Sequence, residues 1–198
     1  MIELDDSHPA ELAPLSWLIG VWEGTGVVAY AVGDDTRNFE FGQRVGFSHD
    51  GQPHLNYNSY TWLLDDASTP LATETGYWRL SRPATAADPG PGMLPGIGTP
   101  SFATASAVET LRNPAGGFDI EVSILHPGGV SELYLGLAKG PRIDLATDAV
   151  LRSAGAKEHT ASTRMYGLVD HHLLWAWDIA ALGQKLSTHA SARLARVD

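Results

Sequence analysis

No cysteine occurs in the 198 residues. That absence removes a disulfide framework, a thiolate nucleophile, an iron–sulfur cluster and any thiolate metal ligand, so an axial ligand to a metal must be nitrogen or oxygen. Long apolar runs are missing too, since no stretch of about eighteen apolar residues could span a bilayer. The opening Met1-Ile2-Glu3-Leu4-Asp5-Asp6 lacks the basic and apolar regions of a signal peptide. The expectation is a cytoplasmic protein with no membrane partner. Positive charge is scarce: 13 Lys and Arg against 23 Asp and Glu give a net charge of −10, which argues against a nucleic-acid partner. Zinc spacings of the His-x-x-x-His kind, local carboxylate clusters and a Gly-x-Ser-x-Gly elbow are absent as well.

What is present is a series of short alternating segments. Phe39, Phe41, Val45 and Phe47 follow the two-residue period of a strand with one buried face, and the run stops at the turn pair Asp50-Gly51. A first strand is expected near Trp22–Tyr30. Further strand-like runs are Leu55–Leu63, Thr73–Leu80, Ser101–Arg112, Phe118–Leu125, Val130–Ala138, Ile143–Leu151, Thr160–Val169, Leu173–Asp178 and Leu186–Ala195. Their separators, such as Asn113-Pro114-Ala115-Gly116-Gly117 and His126-Pro127-Gly128-Gly129, carry turn chemistry. Ten or eleven antiparallel strands in sequence order predict an all-β fold, an up-and-down barrel or a sandwich, and the barrel is favoured because meander connections close naturally and leave no exposed edge. The whole of 1–198 is expected to be one domain, with 1–14 irregular and Leu15-Ser16-Trp17-Leu18 serving as a short helical plug. Residues 82–100 carry Pro83, Pro89, Pro91, Pro95 and Pro100 and cannot pair inside a sheet. They are expected to form a loop within the domain, a candidate rim over the barrel mouth.

Two features could carry chemistry. Gly20, Trp22, Gly24 and Gly26 open the first strand, and glycines inside a strand imply close approach of a ligand or of neighbouring backbone; the structural alternative is a tight corner with Trp22 closing the barrel bottom. His189 shares its alternation face with Ser187, Ser191 and Arg193, opposite Leu186, Ala190, Ala192 and Leu194. The pattern leaves open which face is inside, and hence whether His189 is a pocket ligand or a surface histidine. His49, His126 and His171-His172 fall in or beside turns, where solvated histidine is ordinary, and His159 at a strand start is either a solvated edge residue, the commoner case, or a pocket residue. Trp62, Tyr77, Trp78, Tyr134, Tyr166, Trp175 and Trp177 are expected to line or plug the barrel.

Taken together, these motifs resemble the nitrobindin family, once grouped with fatty-acid-binding-like proteins, and more closely its actinobacterial second type. The resemblance runs from Leu15 to Arg196. It rests on Gly20, Trp22, Gly24 and Gly26, on Phe41-Gly42-Gln43-Arg44-Val45 with Phe47-Ser48-His49-Asp50-Gly51, on Glu74-Thr75-Gly76-Tyr77, on Ala156-Lys157-Glu158, and on His189 ahead of Ala192-Arg193-Leu194. It implies a ten-stranded lipocalin-like or fatty-acid-binding-like barrel with one haem b per subunit and ferric iron on His189. Lys157 would lie near the haem, and the distal side would be open to solvent but crowded by apolar side chains. The implied activity is isomerisation of peroxynitrite to nitrate, with nitric oxide as a further ligand and a second copy of the chain as a candidate partner. The alternative is an intracellular carrier of fatty acid or another apolar molecule, without chemistry. Two departures bear on the distal side. Tyr30-Ala31-Val32-Gly33 replaces a Tyr-Pro-Thr-Ile segment common in relatives, and Ala72 stands where some relatives carry a histidine.

Overall fold

The computed structural model describes residues 8–32, 35–181 and 183–198, with backbone alone for 30–32 and 35. Its strands are β1 (Gly20–Val32), β2 (Asp35–Ser48), β3 (Leu55–Leu63), β4 (Pro70–Leu80), β5 (Phe118–His126), β6 (Val130–Ala138), β7 (Arg142–Arg152), β8 (His159–Val169), β9 (His172–Ala181) and β10 (Ser187–Arg196). Each pairs antiparallel with the next, and β10 returns to β1, so the sheet closes as the alternation predicts. Closure satisfies both backbone edges that an open meander would leave bare.

One end of this barrel is stoppered. Residues Ala10–Leu18 form a 3₁₀ helix, whose three-residue turn places Leu12, Leu15 and Leu18 in one row, and all three are fully buried. Trp22 turns inward beneath them and donates from Nε1 to the Leu18 carbonyl at 2.8 Å. Phe47, Tyr57, Trp78 and Tyr166 continue the core below, with Trp78 edge-on to both Phe47 and Tyr166. The expected plug and the Trp22 floor are therefore present, while the part of the irregular N-terminal segment at residues 1–7 lies outside the described residues.

Gly24 and Gly26 lie on β1 at its seam with β10. A Cβ at Gly26 would stand 2.4 Å from Phe41 Cζ and from the Ser191 carbonyl, and one at Gly24 would stand 2.3 Å from the Arg193 carbonyl. Side chains there would hold β1 off β10, so the glycines permit closure.

Three expectations need correction. Ser101–Arg112 is not a strand: its centre is a short helix, α1 (Ala105–Glu109), capped by Thr104, whose side chain accepts from the Ala107 amide. Val108, which α1 buries, reaches the core. The proline-rich 82–100 segment does not rim the mouth. It follows β4 at the stoppered end, where Arg82 binds Glu11 of the 3₁₀ helix through Nε (2.6 Å) and Nη2 (3.0 Å) and also binds Asp88. Finally, Tyr77 and Trp62 are outside the barrel: Tyr77 is more than half exposed beside His54, and Trp62 covers Gly42 on the outer face. The other five aromatics of that set face inward.

Candidate functional site

At the end opposite the 3₁₀ helix the barrel opens into a cavity of about 250 Å³. Val28, Phe39, Val45, Leu71 and Ala72 form an apolar wall from β1, β2 and β4. Trp177, His189 and Ala190 come from β9 and β10, and Gln43, Ser59, Glu74 and Arg164 lie deeper.

His189 is in this wall although simple alternation would put it outside. Inward residues of β10 are Ala190, Ala192 and Leu194, while Ser191 and Arg193 line an outer groove. The register against β9 shifts between Thr188 and Ala190. This β-bulge sets both His189 and Ala190 opposite Trp177, so the two adjacent residues line one cavity. The His189 ring meets that of Trp177 edge to face, centroids 5.4 Å apart at 87°. Burial, and then the nearby His159, hold its imidazole below the ordinary histidine pKa. A neutral imidazole keeps the lone pair that a metal requires.

Behind Trp177 lies a buried ionic cluster. Arg164 binds Glu74 through two hydrogen bonds, Nη2 to Oε1 at 2.7 Å and Nη1 to Oε2 at 2.9 Å, and donates from Nε to the Tyr134 hydroxyl at 2.9 Å. Tyr57 donates to Glu74 at 2.7 Å. Glu132, with no exposed side-chain surface, pairs with His126 Nε2 and His159 Nε2, each at 2.8 Å, and accepts from Tyr134 and Ser162. Burial would raise the Glu132 pKa, but the bonds from His126 and His159 and the Arg164 charge outweigh it and hold the carboxyl far below its usual range. Glu74 shows the same balance: burial raises it, and the Arg164 charge and hydrogen bonds bring it below its ordinary value. Burial pushes the Tyr57, Tyr134 and Tyr166 hydroxyls up, so they act as neutral donors and acceptors.

Sequence reasoning placed His126 in a solvated turn, and the structure corrects that. It is the last inward residue of β5, after Phe118, Ile120, Val122 and Ile124, and is part of the Glu132 cluster. His159 faces inward onto Glu132 because a register irregularity between His159 and Ala161 shifts β8 by one residue, but it is not among the residues that line the cavity. Glu74 had been noted only within a motif, and Glu132 and Arg164 not at all. Lys157 lies in the β7–β8 loop at the open end, exposed, and the cavity wall does not include it. Ala72 is in the wall, so no polar group projects from that position. For Ala31-Val32-Gly33 the side chains lie outside the described residues.

A family model described as "THAP4-like, heme-binding beta-barrel domain" matches residues 11–196. The chain is similar to the peroxynitrite isomerase of Leifsonia xyli subsp. xyli, 69% identical over all of both chains. It is also similar to that of Clavibacter michiganensis subsp. michiganensis, 67% identical over the same extent. Among solved structures it is similar to Rv2717c from M. tuberculosis, with a TM-score of 0.70 and 28% identity, covering 99% of this chain and all of the other. Among the described residues, no helix is long and apolar enough to cross a membrane.

Proposed function

The chain belongs to the THAP4-like haem-binding β-barrel family, and from that premise we propose that it binds haem b through His189 in the open cavity and isomerises peroxynitrite to nitrate there. The observation that carries the proposal is the bulge that turns His189 into an otherwise apolar wall. The residues present suit the group. The imidazole is biased to its neutral, ligating form. The buried Trp177 Nε1 lacks an acceptor, which a bound group carrying carboxylates or other acceptors would supply.

Bound ferric haem would supply a Lewis-acidic centre. The protein's own part is to hold and exclude. His189 would hold the iron through a ring nitrogen. Val28, Phe39, Leu71 and Ala72 would limit water around the reacting anion and confine it within the cavity. Lys157 on the open rim offers an ammonium to a propionate. In the same reading the centre binds nitric oxide, and the protein works in the cytoplasm against reactive nitrogen species. A second copy of the chain would cover the exposed Val27, Met165 and Val169 of the outer face.

The carrier reading fits the cavity less well. Arg164 is the only arginine or lysine among the described residues lining it, and Glu74 already holds that guanidinium with two bonds. Inside the cavity a fatty-acid carboxylate would meet the ionised Glu74 and, among the described lining residues, no arginine or lysine that is not already held by a carboxylate. The test is His189→Ala loaded with haem. Loss of the parent's Soret band and of accelerated peroxynitrite decay is expected; a parental spectrum and rate would refute the assignment.

A further inference from the structure

Trp177 has an unusual set of neighbours. The Arg164 guanidinium carbon sits 4.4 Å from the centroid of its ring. His126 stacks parallel to it, 10° and 6.2 Å, and His159 lies at 33° and 6.3 Å. His189 meets it edge to face at 5.4 Å. The first three are each fixed from behind by a buried carboxylate: Arg164 by Glu74, and His126 and His159 by Glu132. Only His189 belongs to the open side of the cavity.

We propose that Trp177 is a positioning residue, which sets the ring orientation of His189 and is itself immobilised by the ionic cluster behind it. The inference rests on the reading of His189 as the iron ligand. Its physical basis is local. At a bulge the ladder is disrupted, so side-chain packing carries more of the orientation of a residue there than in a regular strand. A perpendicular ring at 5.4 Å obstructs rotation of the imidazole about its bond to Cβ. An indole free to tilt would give little obstruction, but this one bears a clamped guanidinium and two anchored imidazoles. Burying two glutamates and an arginine is costly for stability alone, and a rigid backing for the cavity wall gives that cost a use. Where the outer contacts that orient a metal-ligating histidine are hydrogen bonds, their loss typically costs about 10–100-fold in metal affinity or activity, which sets the scale for an orienting ring.

The experiment compares the full-length parent with Trp177→Phe, Trp177→Leu and His189→Ala, each loaded with haem. It reads the ferric absorption and electron paramagnetic resonance spectra, the rate of haem transfer to an excess of a haem-accepting protein, and the melting temperature of the haem-free form. Trp177→Leu should release haem at least about tenfold faster and broaden the ferric signals, whereas Trp177→Phe, which keeps a flat ring, should recover most of the parent's spectrum. A Trp177→Leu protein with the parent's spectrum and release rate, whatever its melting temperature, would overturn the positioning role while leaving the His189 assignment standing. A His189→Ala protein that keeps the parent's spectrum would overturn both. Should Trp177→Leu fail to fold, Trp177→Phe decides alone, because a release rate as fast as that of His189→Ala contradicts rescue by a ring.

Discussion

The two ends of the barrel are built from the same strands and obey different chemistry. At the closed end Leu12, Leu15, Leu18, Trp22 and Phe47 fill the barrel interior, and the charged groups, Arg82 with Glu11 and Asp88, are confined to the contact between the 3₁₀ helix and the 82–100 segment, so stability inside follows packed volume. At the open end the wall carries Glu74, Glu132, Arg164, His126 and His159 in one bonded set, and stability follows charge balance. Register shifts involve β3–β4, β6–β7, β8–β9 and β9–β10, each toward the open end. The closed end is regular and holds the shape; the open end departs from regularity wherever a side chain must be aimed. A barrel can carry costly polar groups at one end when the other end supplies an ordinary core.

That contrast can be broken by experiment. The largest effect is expected from Arg164→Met, which leaves Glu74 and Glu132 buried without their cation and should cost about 3–5 kcal/mol, read as a lower urea midpoint with an unchanged slope. Adding Glu74→Gln should restore part of the loss; absence of any recovery would mean that volume, not charge, governs this end too. Leu15→Ala at the closed end should cost about 2–5 kcal/mol, with no second-site charge change able to offset it.

Gly26→Ala tests the seam between β1 and β10, where the barrel closes, and should cost about 1–3 kcal/mol by overpacking against Phe41 and the Ser191 carbonyl. A neutral result would show that β1 and β10 can part there.

Acid distinguishes the ends next. Glu74 and Glu132 have folded pKa values below their unfolded one of about 4.3. Their contribution is therefore complete above that pH and is lost as pH falls through the folded values. Glu132→Gln should flatten the decline in unfolding free energy between about pH 5 and pH 2, and Leu15→Ala should lower the whole curve without changing its slope. The smallest effect belongs to Lys157→Ala. Exposed in a loop, it should alter stability by less than about 0.5 kcal/mol, while haem titration should show a modest loss of affinity if it pairs with a propionate.

Most of the fold could be read from alternation, because nearly every strand keeps its period of two with turn residues between. The segment 101–112 was misread because Ala and Thr suit either element. The helical signal was there in Thr104 as a cap and in the three-residue spacing of Val108 and Leu111. The candidate site was less legible, for two physical reasons. Charged residues default to the surface in any reading by hydrophobicity, so Glu132 and Arg164 were passed over, although each shares its face with a buried tyrosine two residues on. His159 and His189 owe their direction to irregular register, which leaves no compositional trace. For His189 alternation alone left the face undecided, and only the family resemblance pointed inward. His126 was available from parity alone, two residues beyond Ile124.

Under the proposed role of His189, the bulge in β10 makes the choice of cofactor ligand a matter of residue count. Deleting Thr188 would bring β10 into regular step with β9, send His189 to the outer surface and leave the ten-stranded wall closed. In a lineage of such barrels, a three-nucleotide insertion or deletion would then be a second route, beside substitution of the histidine, to gain or loss of the proposed centre. Two chains could share every signature residue and still differ in whether the iron has anything to hold it.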